Sequence, residues 1–170
     1  MAENSAWYAA YTTSRAEKKV QERLTEAGIE NYLPLKTECR IWSDRKKKIS
    51  VSLISGYIFV NVTPQDFSTV LSTMGVVAFL KEEGSPVAIP DIQIERLRFV
   101  ENNIAEPLEM VYEDISKGTL VEVVRGALLG FQGEMVEFKD KYRIVLRLDR
   151  LGCALVTVPL SCVKKIHSKQ

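Results

Sequence analysis

The chain has 170 residues, 46% of them hydrophobic, which suits one mid-sized domain or two small ones and argues against extensive disorder. Its 23 basic and 22 acidic residues give a net charge of +1, which excludes the bulk-charge binding of histone-like proteins and leaves only local patches for nucleic acid. The sequence shows no signal peptide and no apolar run long enough to span a bilayer. Its three cysteines, Cys39, Cys153 and Cys162, lack the spacing of metal ligands, so we expect a cytoplasmic protein with reduced thiols.

Strands alternate with three amphipathic helices in the first half of the chain. The strands are predicted from apolar or alternating runs, and the helices from apolar residues at three- and four-residue spacing. Glycine and proline mark several element ends. In chain order we predict a strand at 7–12, a helix at 16–27, a strand at 29–35, hairpin arms at 39–42 and 49–53, a strand at 57–62, a helix from 64 to 75, strands at 76–80 and 87–89, and a helix at 91–102.

Three local details follow from the same patterns. Ser14 is expected to cap the first helix in a capping box with Glu17. Residues 43–48 are polar and predict the tip of the hairpin. The buried faces are predicted to be Phe67, Val70, Leu71 and Met74 on the second helix and Ile94, Leu97 and Val100 on the third.

The segment at 104–117 loses this order. It contains Pro107 and several acidic residues, and we interpret it as a linker. Its apolar residues leave a second possibility open, in which Leu108, Val111 and Tyr112 dock on a neighbouring element.

From Gly118 onward, short apolar runs alternate with turns. Five such runs in about 50 residues predict a small SH3-like β-barrel. The domain boundaries are therefore predicted at 1–103 for the first domain, 104–117 for the linker and 118–170 for the second domain. The five strands are predicted at 120–124, 134–138, 143–148, 154–158 and 162–166.

Both halves carry short motifs whose order along the chain is more specific than any one of them. The first half contains Trp7-Tyr8, Arg15-Ala16-Glu17-Lys18-Lys19-Val20, Gly56-Tyr57-Ile58-Phe59-Val60 and Gly75-Val76-Val77-Ala78-Phe79-Leu80, followed by Gly84, Pro86-Val87 and Ile89-Pro90-Asp91. The second half contains Gly118, Val121, Val123, Gly126, Gly130, Gly133 and Val136. These sets resemble the NGN and KOW domains of the NusG family.

This resemblance implies an α+β protein, with a ferredoxin-like α/β sandwich followed by an SH3-like barrel. It also implies a monomeric transcription elongation or antitermination factor that binds RNA polymerase. Two departures, Ser55 in place of the usual proline and Leu128 in place of the usual aromatic residue, favour a specialised antiterminator that promotes read-through of long operons. The alternatives are a general NusG that couples transcription to Rho or the ribosome, and an RNA-binding, ribosome-associated KOW protein.

The polymerase-binding residues implied by the resemblance are Tyr8, Ile54 and Tyr57. They match positions that dock on the clamp of the largest polymerase subunits, and we expect them to cluster at one end of the sheet. Aromatic rings bury a large area and keep a polar handle, which suits an interface. The alternative for these residues, and for Trp7, is packing in the core.

Nucleic-acid binding is expected from a basic hairpin. From Lys36 to Lys48, six basic and two acidic residues give a local charge of +4, and Trp42 lies beside them. Phosphates would supply the attraction, and Trp42 would stack on an unpaired base. By analogy with the family the target is upstream or non-template DNA, while the alternative is a solvated edge that blocks strand pairing. The candidates are Trp42, Arg45, Lys46, Lys47 and Lys48 on the hairpin, and Arg15, Lys19 and Arg23 on one face of the first helix.

The turn at 127–132 is unusually apolar. Leu128, Leu129 and Phe131 would either bind a protein partner, such as a ribosomal protein or Rho, or cap the barrel. The only histidine, His167, lies in a polar tail, and the sequence has no catalytic constellation or nucleotide-binding loop. We therefore predict no enzymatic activity, no cofactor and no metal.

Overall fold

The computed structural model describes residues 4–103, 108–113, 115–148 and 150–167. The chain forms two compact units, Met1–Ile94 and Glu95–Gln170. The division falls within the third helix, near the predicted end of the first domain, and the predicted boundary at residue 103 stays a prediction.

The first unit is a mixed α/β structure built on one antiparallel sheet. The sheet has the strand order β2-β5-β1-β6, with β9 paired to β1. The predicted central position of the strand at 57–62 is confirmed, because β5 lies between β1 and β2. The elements up to the third helix are β1 (Ala6–Thr12), α1 (Glu17–Glu26), β2 (Glu30–Tyr32), β3 (Leu35–Trp42), β4 (Arg45–Ser52), β5 (Tyr57–Val62), a 3-10 helix (Pro64–Asp66), α2 (Phe67–Ser72), β6 (Val76–Phe79), β7 (Lys81–Glu82), β8 (Ser85–Pro86), β9 (Ala88–Ile89) and α3 (Asp91–Asn103).

One face of this sheet packs against α1 and α2 to form a core. Alternation along β1 and β5 places Ala10, Ile58 and Val60 on that face, where each is fully buried. Val20 and Leu24 of α1 pack against them from the helix side. The apolar spacing that predicts these strands and this helix therefore reflects burial in one core.

The N-terminus of α1 differs from the prediction. The helix begins at Glu17 with Ala16 at the capping position, and no side chain caps it. The carboxylate of Glu17 instead accepts a hydrogen bond from the buried N–H of Gly56 at 2.8 Å. The predicted capping box between Ser14 and Glu17 is wrong because this long-range partner takes the carboxylate.

The hairpin is longer than predicted. Strands β3 and β4 form a separate two-stranded sheet whose pairing continues to the rung of Trp42 and Arg45. Only Ser43 and Asp44 form the turn, so the predicted tip at 43–48 is wrong and the basic residues lie on β4. The distal end of this ribbon is exposed, and the basic run at 45–48 contains no apolar residue by which a sequence pattern would detect a strand.

The second helix is shorter than predicted. Helix α2 spans only six residues, and Thr73 after it is extended. Val70 is buried and Phe67 is half-buried, but Leu71 is exposed and Met74 is 72% exposed. The predicted stripe is wrong for Leu71 and Met74, and helical spacing no longer applies to Met74 because it lies beyond the helix.

The predicted buried face of α3 is confirmed, since Ile94, Leu97 and Val100 are at most 1% exposed. A small hairpin, β7 paired with β8, was not predicted. Each of its strands has only two residues, which is too short for a periodic pattern to appear.

The second unit contains a six-stranded antiparallel sheet with the order β10-β14-β13-β12-β11-β15. It confirms the five predicted strands and the predicted fold class, an α/β sandwich followed by a small SH3-like β-domain. The strands are β10 (Glu109–Val111), β11 (Thr119–Val123), β12 (Gln132–Phe138), β13 (Lys141–Leu148), β14 (Gly152–Thr157) and β15 (Val163–Lys165), with a 3-10 helix at Leu160–Cys162.

Strand β10 comes from the segment interpreted as a linker. It pairs with β14, and Val111 joins a core cluster with Val145 and Leu155. Leu108 is also buried, whereas Tyr112 is 68% exposed. Residues 104–107 and Asp114 of the predicted linker lie outside the described residues.

Candidate binding surfaces

Two tyrosines form a partly exposed aromatic pair at one end of the first sheet. Tyr11 on β1 lies directly opposite Tyr57 on β5, and their ring centroids are 5.3 Å apart at an interplanar angle of 60°. Tyr11 is 45% exposed and Tyr57 is half-buried. We call this feature the Tyr11–Tyr57 pair.

The turn at Gly56 holds this pair in place. Gly56 has a φ of +83°, and a Cβ atom there would lie 3.2 Å from the Tyr11 ring. Its N–H donates to Glu17, and its carbonyl oxygen accepts a hydrogen bond from the N–H of Thr12 at 2.8 Å. Glycine adopts this φ without steric cost and lets the ring approach the backbone.

Tyr8 lies on the opposite face of the sheet from Tyr57. Its ring packs edge-on against Phe67 at 5.0 Å and Phe79 at 6.0 Å between centroids, beside the helix-covered core. Residues three apart on a strand point to opposite faces, which separates Tyr8 from Tyr11. Ile54 is only 1% exposed. The expected cluster of Tyr8, Ile54 and Tyr57 at one end of the sheet is therefore wrong.

Further apolar side chains are exposed in the same unit. Leu71 is 44% exposed, Met74 is 72% exposed and Val77, on the edge strand β6, is 53% exposed. Sequence reasoning missed Tyr11 and Val77 as surface residues and assigned Leu71 and Met74 to the core. The helix is shortened by the 3-10 helix at Pro64–Asp66 and by the extended backbone at Thr73, and neither can be read from the spacing of Pro64 and Gly75.

The predicted cations at and before α1 lie in different surroundings. Arg15 precedes the helix and has a φ of +60°. Arg23 is half-buried, and its Nη1 donates to the Met74 carbonyl at 2.7 Å. Lys19 is exposed. Helical spacing therefore does not apply to Arg15, and nucleic-acid binding by Arg15, Lys19 and Arg23 stays a prediction. Lys18 donates to the Ser50 carbonyl and connects α1 to the hairpin.

The hairpin carries the predicted charge on an exposed ribbon. Trp42 is 60% exposed and Ile41 is 80% exposed. Glu38 forms ion pairs with Lys36 at 3.1 Å and with Arg40 at 3.8 Å. The remaining cations on the distal half, Arg45, Lys46, Lys47 and Lys48, are all exposed.

In the second unit, the apolar turn buries two of its three candidate residues. Leu128 is 5% exposed and Phe131 is 8% exposed, whereas Leu129 is 65% exposed. The ring of Phe131 stacks on Phe99 at 5.7 Å with an interplanar angle of 2°. Of the two readings of this turn, capping fits Leu128 and Phe131, and only Leu129 presents an apolar side chain to a partner.

Arg96 completes the packing around Phe131. Its guanidinium lies 4.9 Å from the ring centroid, and Nη2 donates to the Gln132 carbonyl at 2.6 Å. Burial lowers the pKa of Arg96, and the nearby Glu134 carboxylate opposes that change. The cation–π contact and the ring stack together bury Phe131 within the second unit.

A charged cluster fastens β10 to the same unit. The Glu109 carboxylate accepts hydrogen bonds from Lys139 at 3.0 Å and from Arg143. These bonds hold the pKa of Glu109 below its ordinary value. They connect β10 to β13 and to the β12–β13 turn, in addition to the backbone pairing of β10 with β14.

The described residues offer no sign of a metal centre or a membrane span. Across 4–103, 108–113, 115–148 and 150–167, no three His, Cys, Asp or Glu side chains are grouped to hold an ion. Within those ranges, no helix is both long and apolar enough to cross a bilayer. His167 is exposed near the end of the last range.

Comparison with known proteins identifies a family to which the chain is similar. Residues 5–98, more than half of the chain, match the NusG family model, described as transcription termination factor nusG. The transcription termination/antitermination protein NusG of Staphylococcus carnosus is 23% identical over 86% of this chain and 87% of its own length. Its counterpart in Streptococcus pyogenes serotype M1 is 23% identical over 90% of this chain and 91% of its own length.

A solved structure shares the fold. The structure described as "Domain interaction in Thermotoga maritima NusG" aligns over 98% of this chain and 100% of that chain, with a TM-score of 0.56 and 20% identity.

Proposed function

This chain belongs to the NusG family of transcription termination/antitermination factors, which are not enzymes, and from that premise we propose that it binds RNA polymerase and promotes read-through of long operons. The Tyr11–Tyr57 pair carries the proposal, because it exposes aromatic surface on the unit that matches the family model. A factor that stays bound through many nucleotide additions needs such an apolar anchor. Buried aromatic rings supply much of the energy of protein interfaces.

We assign the polymerase contact to the Tyr11–Tyr57 pair, with Val77 and Met74 as further exposed apolar groups. The partner is the clamp of the largest polymerase subunits. Ile54 acts indirectly, because its carbonyl accepts hydrogen bonds from the Tyr57 N–H at 3.3 Å and from the Ser52 hydroxyl at 2.9 Å at the start of β5. Tyr8 supports the sheet from its core-facing side.

The docking proposal is tested with the double variant Tyr11→Ala/Tyr57→Ala. Retention of the variant on immobilised polymerase is expected to fall by about 100-fold, since hot-spot rings contribute roughly 2 kcal/mol or more. Tyr142→Ala is the matched control, because Tyr142 is 43% exposed and lies in the second unit. Equal retention of both variants, with unchanged circular dichroism, contradicts the assignment.

Residues of the second unit support our proposal that the chain promotes read-through and does not couple transcription to Rho or the ribosome. The turn that carries an aromatic residue in general members of the family has Leu128 here, and that side chain is buried. Leu129 remains as the only exposed apolar group among the three candidates, and it offers a smaller contact than an aromatic ring.

Single-round transcription separates the two functions. On a template with an intrinsic terminator, the chain is expected to increase the full-length product several-fold. On a template with a Rho-dependent terminator, it is expected not to increase release by Rho. Enhanced release that is lost in Leu129→Ala favours a general coupling factor instead.

The ribosome-associated alternative is tested by binding to structured RNA in the absence of polymerase. The net charge of +1 favours weak binding at physiological salt. Tight, salt-sensitive binding, together with no retention on polymerase, overturns the transcription assignment.

A further inference from the structure

A short segment of the second unit, residues 108–113, lies along one edge of its sheet, and we call it the β10 strap. Its strand β10 has only three residues and pairs with β14 over three rungs, whereas β13 and β14 pair over six. Val111 lies opposite Cys153 and is buried in a cluster with Val145 and Leu155. The β10 strap therefore covers an apolar cluster with little backbone pairing to hold it.

A pair of charged contacts fastens the strap near its start. The Glu109 carboxylate accepts hydrogen bonds from Lys139 Nζ at 3.0 Å and from Arg143, and we call this arrangement the Glu109 clip. The side chains of Glu109 and Lys139 are 35% and 68% exposed, so water competes for their contact. Ion pairs with this exposure stabilise a fold only slightly. The Glu109 clip therefore favours the docked strap without locking it.

The chain after the strap is held separately, by Arg147 of β13. Its Nη1 donates to the Ile115 carbonyl at 2.9 Å and its Nη2 to the Ser116 carbonyl at 3.3 Å. Its Nε donates to the carboxylate of Glu134, on β12, at 2.6 Å. This Arg147 anchor involves no residue of β10. An opening that begins at Glu109 is therefore expected to stop at Ile115.

Gly152, at the start of β14, provides the space in which the strap backbone lies. It has a φ of +97°, and a Cβ atom there would lie 2.5 Å from the Val111 carbonyl oxygen and 3.3 Å from the Tyr112 Cα. Both neighbours are backbone atoms, which cannot rotate away as the end of a side chain can. The docked position of the β10 strap therefore requires the absence of a side chain at residue 152.

We propose that the β10 strap is a reversible cover, which opens as one segment between the Glu109 clip and the Arg147 anchor while the other five strands of the second sheet stay folded. Opening releases residues 108–113 into the chain that leads from α3 to Ile115, and these six residues span about 20 Å when extended. It also leaves β14 with an unpaired edge, which another extended segment can pair with. The proposal does not rest on the proposed function, because opening requires neither polymerase nor nucleic acid.

Cys153 reports this opening, because it lies under the strap. Cys39→Ser/Cys162→Ser leaves it as the one thiol of the full chain, and its rate of reaction with dithiobis(nitrobenzoate) is measured at urea concentrations below the unfolding transition. Local opening exposes little surface, so the rate is expected to depend only weakly on urea. A urea dependence equal to that of global unfolding, measured on the same variant, overturns the proposal.

Charge reversal in this background tests the Glu109 clip. Glu109→Lys replaces two hydrogen bonds with repulsion from Lys139 and Arg143, and we expect the labelling rate of Cys153 to rise by about tenfold. Glu113→Lys is the matched control, because it makes the same change of charge at an exposed position of the strap. Equal rates in the two variants show that the clip does not close the strap, and so contradict the proposal.

A steric variant tests the same opening without a change of charge. Gly152→Ala is expected to raise the labelling rate of Cys153 by roughly tenfold, because its Cβ displaces the strap backbone. Gly126→Ala is the control, since Gly126 has a φ of +89° but a Cβ atom there meets nothing within 4 Å. Hydrogen exchange in Gly152→Ala is expected to accelerate at 108–113 and to stay unchanged at 141–148. Acceleration at both segments, or equal labelling of the two variants, overturns the proposal.

Discussion

The two units differ in the exposure of apolar residues in their turns and strands. In the first unit, the Tyr11–Tyr57 pair and Val77 stay at least partly exposed at sheet positions. In the second unit, Leu128 and Phe131 belong to an apolar, glycine-bounded turn and are nevertheless buried. An apolar side chain in a turn is therefore a poor sign of an interface, and an aromatic residue in a regular strand can be a better one.

Removal of Phe131 is expected to have a large effect on the second unit. Phe131→Ala is expected to lower the free energy of unfolding by about 3 kcal/mol, because it deletes a buried ring together with its stack on Phe99. Chemical denaturation measures the change. Leu129→Ala is the control in the same turn, and its effect is expected to stay within about 0.5 kcal/mol because Leu129 is 65% exposed. Equal losses would show that the turn is not divided into buried and exposed residues.

A smaller effect is expected at Gly56 in the first unit. Gly56→Ala combines a φ of +83° with a contact of 3.2 Å to the Tyr11 ring. We expect a loss of about 1–2 kcal/mol and reduced retention on polymerase, because the Tyr11–Tyr57 pair must shift. The unfolding free energy and polymerase retention are measured together.

Gly84→Ala is the matched control for this substitution. Gly84 has a φ of +82°, but a Cβ atom there would meet nothing within 4 Å. It therefore reports the backbone strain alone. If the two variants lose the same stability and the same polymerase retention, the Tyr11 ring does not depend on the turn at Gly56.

These contrasts also explain what the sequence predicted well. The strand at 57–62 and the buried face of α3 follow from apolar spacing, because burial against one core imposes that spacing. The strands of the second unit were predictable for the same reason. Family motifs then identified the fold, since both sets of motifs occur in the expected order.

The candidate site was less predictable, because it depends on pairing between distant segments. Tyr8 and Tyr57 fall on opposite faces because β1 and β5 pair in a register that no local pattern specifies. Glu17 does not form the predicted capping box because its carboxylate accepts a hydrogen bond from the buried N–H of Gly56, 39 residues away. The hairpin extends beyond its predicted arms because the run at 45–48, which is exposed and contains no apolar residue, is also part of β4. Exposure and orientation therefore had to come from the structure.

The smallest expected effect concerns β10, which the sequence placed in a linker and the structure places in the second sheet. Hydrogen bonds from Lys139 and Arg143 lower the pKa of Glu109 in the folded state. A carboxylate with a lowered folded pKa adds stability above its unfolded pKa of about 4.3, and this contribution is lost as pH falls through the folded value. Because Glu109 is about one-third exposed, the contribution at neutral pH is expected to stay below about 1 kcal/mol.

The prediction is tested with Glu109→Gln, which keeps the shape of the side chain and removes its charge. Urea midpoints are measured from pH 7 to pH 3, with Glu137→Gln, an exposed carboxylate on β12, as the control. The wild type is expected to be more stable than Glu109→Gln at pH 7, and the difference is expected to shrink as the pH falls below about 4. A difference that stays constant over the whole range means that charge does not hold β10, and that the backbone pairing with β14 and the burial of Val111 are sufficient.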